Sequence, residues 1–149
     1  NLCSNFTSSK ISSLKKMPKV FFFDNGLRNF FSSTFDEISL EKEKGILAEN
    51  FVFSQLIKFN AWQLNEFGKV QFWRSPSGNE IDFIFSYQKN IIPIEVKLSQ
   101  PLGRGAEEFL KRLNPDRIFI VTKDRLEIQK KGNVYYMYIP LSIFGLGLV

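Results

Sequence analysis

Gly78-Asn79-Glu80-Ile81-Asp82-Phe83-Ile84-Phe85-Ser86-Tyr87-Gln88-Lys89-Asn90-Ile91-Ile92-Pro93-Ile94-Glu95-Val96-Lys97 reads as two strands joined by a short polar turn. β-Branched and aromatic residues dominate both arms, and such residues fit a pleated, half-buried surface. The stretch from Ser86 to Asn90 is short enough for a hairpin, so the strand of Asp82 is expected to pair antiparallel with the strand of Glu95. Successive side chains of a strand point to opposite faces, which puts Glu95 and Lys97 together on one face and Ile94 and Val96 on the other. Two acids and a lysine are thus set inside apolar runs, where a charge is costly to bury without a partner or a metal.

Two carboxylates and one ammonium at the end of a hairpin suit a hard divalent cation, Mg²⁺ or Mn²⁺. A lysine beside such an ion can orient or deprotonate a bound water. Phosphodiester hydrolysis is the reaction this set serves best. A plainer account stands beside it, in which Glu95 and Lys97 form an ion pair on a half-exposed sheet, worth little energy and needing no ligand. Glu80 shares a strand face with Asp82, but it follows Gly78-Asn79 at the strand's start and is expected to be solvated.

Outward from the hairpin, helical and strand periods alternate. Ile46, Val52, Phe53, Leu56 and Ile57 fall at helical spacing and predict a helix from Gly45 to Phe59. Glu49 lies within its apolar stripe; it is either a site residue or a glutamate near a helix start, favoured there by the macrodipole. A strand is expected over Val70–Trp73, ahead of the strands Glu80–Tyr87 and Ile91–Leu98. Ala106, Phe109, Leu110 and Leu113 mark a crossover helix stopped by Asn114-Pro115. Arg117–Thr122 then reads as a buried strand, parallel to that of Glu95 by the crossover rule. Val134–Ile139 is a last strand and Pro140–Phe144 a terminal helical turn. Upstream, residues 1–19 are expected to be a basic polar arm or linker, and residues 20–149 the folded domain. Within that domain Val20–Phe23 reads as a short strand and Asn25–Phe31 as a helix, followed by loop signals at Ser32-Ser33-Thr34.

The spacing of Asp82, twelve intervening residues, then Glu95-Val96-Lys97 resembles the signature of the PD-(D/E)XK, or restriction-endonuclease-like, superfamily. The wider pattern of Lys19-Val20-Phe21-Phe22-Phe23-Asp24-Asn25-Gly26-Leu27-Arg28, Gly45-Ile46-Leu47-Ala48-Glu49-Asn50-Phe51-Val52 and Phe72-Trp73-Arg74 is similar to the uncharacterised C-terminal domain of a group of prokaryotic AAA+ ATPases. The resemblance spans roughly residues 10–140. It implies a mixed α/β fold with an αβββαβ core: a helix, a three-stranded meander, a crossover helix and a further strand. It also implies Asp82 and Glu95 as metal ligands, with the Val96 carbonyl and Glu49 as further ligands and Lys97 activating water. Glu49, Asp82, Glu95 and Lys97 are then the catalytic set. Ile81 stands where the superfamily's proline stands, a common departure. Gln100 is a weak candidate to assist, and Arg74 is open to either a phosphate contact or a structural ion pair.

Composition bounds the alternatives. The chain has 149 residues, enough for one domain with a sizeable core, and no histidine, which excludes histidine acid–base catalysis, the usual nucleophilic triads and histidine-ligated zinc. The lone Cys3 forbids an internal disulfide and suits a reducing cytoplasm. No apolar run reaches transmembrane length, so no membrane partner is expected. No glycine-rich phosphate loop occurs; Gly103-Arg104-Gly105 is too short and lacks a following Lys-Ser/Thr. A net charge of +5 modestly favours polyanionic partners, and nucleic acid is the partner expected of a phosphodiesterase. Seventeen phenylalanines are too many and too clustered at Phe21-Phe22-Phe23 and Phe30-Phe31 to face one core; contact with an upstream ATPase region in the same chain is expected to cover part of them. The chain opens on Asn1 rather than Met and is read as a piece of a longer protein. The rival of a metal-dependent nuclease is a noncatalytic module of the same fold that docks nucleic acid or protein to that ATPase.

Overall fold

In the computed structural model, which describes residues 1–6, 17–32, 41–99 and 101–145, the chain runs β1 (Leu2–Asn5), β2 (Lys19–Val20), α1 (Asn25–Ser32), α2 (Glu41–Leu64), β3 (Lys69–Arg74), β4 (Glu80–Tyr87) and β5 (Asn90–Val96). It continues through α3 (Arg104–Leu113), β6 (Arg117–Thr122), β7 (Glu127–Lys131), β8 (Val134–Pro140) and α4 (Leu141–Phe144). The described strands form one eight-stranded mixed sheet in the order β2-β1-β3-β4-β5-β6-β8-β7. The stretch α2-β3-β4-β5-α3-β6 follows the expected αβββαβ order.

The meander β3-β4-β5 is antiparallel throughout. Its second turn is the two-residue link Gln88-Lys89, with Gln88 at φ 55° in the left-handed region that a tight hairpin requires. β5 and β6 pair in parallel, as the crossover through α3 dictates, and β6 and β8 are parallel as well. Pro93 sits in β5 one residue before the ladder to β6 begins at Ile94, so its missing N–H costs that ladder nothing.

Helices cover both faces. Val52, Phe53 and Leu56 of α2 pack with Phe83, Phe85, Ile94, Val96, Phe119 and Val121 on one side. Ala106, Phe109 and Leu110 of α3 pack with Trp73, Ile84, Ile118 and Ile120 on the other. This sandwiching explains why the central strands carry nearly continuous apolar runs rather than clean alternation. Gly105 lets α3 come close: a β-carbon there would stand 2.0 Å from the Glu80 carbonyl oxygen, so only glycine permits this approach to the start of β4. Asn114 closes the helix in a left-handed conformation, φ 44°, its N–H bonded to the Leu110 carbonyl at 2.9 Å.

Three expectations change at the edges. Residues 2–5, expected within a polar arm, form β1; they pair with β3 in parallel and with β2 antiparallel, and Cys3 and Asn5 are buried. The strand expected over Val20–Phe23 is instead Lys19–Val20, and only Phe21 enters the core, stacked on Phe53 with ring centres 4.5 Å apart. β7 was not anticipated. It is an edge strand carrying Glu127, Lys130 and Lys131, the charges that keep an edge from pairing with another chain. Residues 7–16, Ser33, Thr34 and Gln100 lie outside the described residues.

Candidate functional site at the open end of the hairpin

The β4–β5 ladder runs from Tyr87↔Asn90 to Phe83↔Ile94, and the next facing positions in that register are Asp82 and Glu95. There the backbone pairing stops and the two carboxylates take its place. The Val96 N–H donates to Asp82 Oδ2 at 2.8 Å, and the Asp82 N–H donates to Glu95 Oε2 at 3.3 Å. Each acid thus caps an amide released by the other strand, in a setting where an unpaired amide would be costly. Lys97 follows β5 directly; its N–H continues the bonding to β6 through the Val121 carbonyl at 2.8 Å, and its ammonium lies 2.9 Å from Glu95 Oε1.

Burial dominates the electrostatics. Asp82 is 8% exposed and Glu95 2% exposed. Desolvation raises the Asp82 pKa above the usual carboxylate range, against the opposing pull of Lys97 and the Val96 amide. Glu95 is pushed up to about 7 by burial and then by the charge of Asp82, with Lys97 offsetting part of it. Glu49, on α2, is likewise pushed up to about 7, first by burial and then by Asp82, while Lys19 and Lys97 act in the opposite direction. For Lys97, burial alone would lower the ammonium pKa, but Glu95, Asp82 and Glu49 together outweigh it and hold it above its ordinary value. The four residues singled out in the sequence therefore share one electrostatic neighbourhood.

Two further groups belong to it that the sequence reading had set aside. Glu80, expected to be solvated, is only partly exposed: it pairs with Lys19 and, at 2.5 Å, with Arg74. Lys19 reaches Glu80 from β2, the edge strand that pairs with β1, which in turn pairs with β3. Arg74 takes the structural ion pair of its two expected roles. Cys3 lies in the same region, but burial pushes its thiol up to about 12, so it stays protonated and is no nucleophile. The N-cap of α3 also borders the site, since a β-carbon at Gly103 would stand 3.6 Å from Glu95 Oε1.

Among the described residues, no three His, Cys, Asp or Glu side chains are grouped so that they could hold a metal ion. What stands together is a carboxylate pair, with Lys97 as its counter-charge. Two hard oxygen donors of this kind fit Mg²⁺ or Mn²⁺ better than a softer ion. A cavity of about 710 Å³ between α2 and α4 includes none of these groups; another, of about 500 Å³, includes Lys97.

The fold and the acid–lysine cluster describe a mixed α/β domain with a polar site at one end of its meander. The chain belongs to the DUF4143 family, a domain of unknown function, which it matches over residues 44–144. No curated protein matches it.

Proposed function

We propose that this chain is a divalent-metal-dependent nuclease domain of the PD-(D/E)XK kind, hydrolysing phosphodiesters of DNA or RNA. The observation that carries the reading is the pair Asp82 and Glu95, buried opposite each other with Lys97 2.9 Å away, where the ladder between their strands ends. Mg²⁺ commonly takes only one or two carboxylates and keeps several waters, so this pair suffices as an anchor. The Val96 carbonyl and Glu49 are the further donors that the resemblance implies. A bound ion would polarise the phosphoryl oxygen and acidify a water.

The residues divide the remaining work by charge. Lys97, held above its ordinary pKa, stays an ammonium at neutral pH and so orients water or phosphate rather than removing a proton. Glu49, pushed up to about 7 by burial and by Asp82, is the further acid that the resemblance implies as a second donor. Glu95 holds Lys97 in place, and Asp82 fixes the Val96 amide beside it. The test is cleavage of labelled DNA and RNA, single- and double-stranded, with Mn²⁺ present. Lys97→Ala is expected to keep metal affinity and lose ~100-fold or more in rate; unchanged cleavage removes Lys97 from the mechanism.

The resemblance also supports a place behind an AAA+ ATPase core in the same chain, and the lone Cys3 suits work in a reducing cytoplasm. One observation favours the noncatalytic reading: Asp82 accepts from the Val96 amide, and Glu95 accepts from the Asp82 amide and pairs with Lys97, so both carboxylates have partners without a ligand. On that reading the domain docks nucleic acid or protein to the ATPase and does no hydrolysis.

A further inference from the structure

The cavity of about 500 Å³ begins at Lys97 and extends along the ends of β6 and β8. Leu102 and Ile120 give it apolar surface, and Lys97, Arg125 and Lys131 give it positive charge. Arg125 is laid flat in this lining: its guanidinium carbon lies 3.7 Å from the centre of the Tyr138 ring, and its Nε is tied to Glu127 at 2.8 Å. Lys131 stands 5.0 Å over the Tyr136 ring. A planar guanidinium already ordered on an aromatic ring is a ready surface for a nucleobase, and stacking of this kind is indifferent to base identity. Asp124, also in the lining, is an acceptor for a base N–H or a sugar hydroxyl. The volume lies at the lower part of the ~300–1,000 Å³ range of pockets that enclose one small ligand. That volume has room for a single unpaired nucleotide.

We propose that this cavity is a nucleotide subsite adjoining the carboxylate pair, taking one unpaired nucleotide next to the phosphodiester that reaches Lys97, so that the domain engages single-stranded nucleic acid. The identity of the ligand rests on the nuclease reading. The subsite itself is tested without metal, by fluorescence anisotropy in EDTA with labelled ten-nucleotide oligo(dT) and oligo(U) and a hairpin duplex of equal length. Lys89→Glu, in the β4–β5 turn, serves as the control for charge. The protein is expected to bind a single strand more tightly than the duplex. Arg125→Glu and Lys131→Glu should each weaken that binding about tenfold, and Lys131→Glu should reduce its salt dependence, while Lys89→Glu changes little. Absence of single-strand binding, preference for the duplex, or equal losses in all three variants would overturn the proposal. Because no metal is present, a failed Mn²⁺ titration overturns the hydrolytic reading alone and leaves this result standing.

Discussion

At the scale of single residues, the candidate site is a problem in desolvation. Burial, and then the charge of Asp82, pushes Glu49 and Glu95 up to about 7 from the ordinary value of 4.5. A carboxylate whose pKa is raised on folding holds a proton in the folded chain that the unfolded chain has already released. Stability is therefore greatest below about 4.5 as far as these two groups are concerned, and falls as pH rises through about 7. Urea unfolding is expected to give decreasing stability from pH 5 to pH 8, and Glu95→Gln should flatten part of that slope; a slope unchanged in the variant would contradict the assignment. Asp82 makes a second prediction. Asp82→Ala strips the acceptor from the buried Val96 amide and is expected to cost ~1–3 kcal/mol, whereas Asp82→Asn keeps an acceptor and costs less, as comparison of urea midpoints will test. Asp82, Glu95 and Lys97 were legible in the sequence because charge inside a β-branched run is anomalous by itself. The Lys19–Glu80 pair was not, since it depends on the pairing of β1 and β2 with a distant part of the chain.

At the scale of elements, legibility followed burial. β4 and β6 were readable to the residue, and α3 nearly so, because helices on both faces force long apolar runs or a full amphipathic stripe into the sequence. β1 and β7 were missed for the opposite reason. Leu2–Asn5 is a strand only because β3 offers an edge some 67 positions along the chain, the separation between Ser4 and its partner Gln71. Glu127–Lys131 is polar because an edge strand must be, so it reads as loop. α2 also runs well past its expected limits, to Leu64, where the apolar period has already faded. Gly105 supplies a test at this scale. In a free helix Gly→Ala gains up to about 1 kcal/mol, but here the new methyl would meet the Glu80 carbonyl, so Gly105→Ala is expected to destabilise by ~1–3 kcal/mol and to disturb the α3 border of the site. A gain in thermal stability would mean that α3 does not press on β4 as described.

At the scale of the whole molecule, the site is assembled from elements remote in sequence: the hairpin, the first half of α2, the start of α3 and the N-terminal pair β1–β2. Removing residues 1–6 should therefore do more than shorten an arm. It takes away the partner of β2, and with it the support for Lys19 beside the acids, so the melting temperature is expected to fall and Glu49 to lose a counter-charge. Phe30 and Phe31 of α1, away from the site, are two-thirds exposed, 66% and 68%. The central claim concerns the carboxylate pair, and one titration addresses it most directly. Mn²⁺ added to the chain at pH 8, followed by calorimetry with Asp82→Asn in parallel, is expected to give saturable binding that the substitution abolishes. No heat of binding in the unaltered chain, or equal binding in both, would contradict it and leave Asp82, Glu95 and Lys97 as a structural ion-pair cluster.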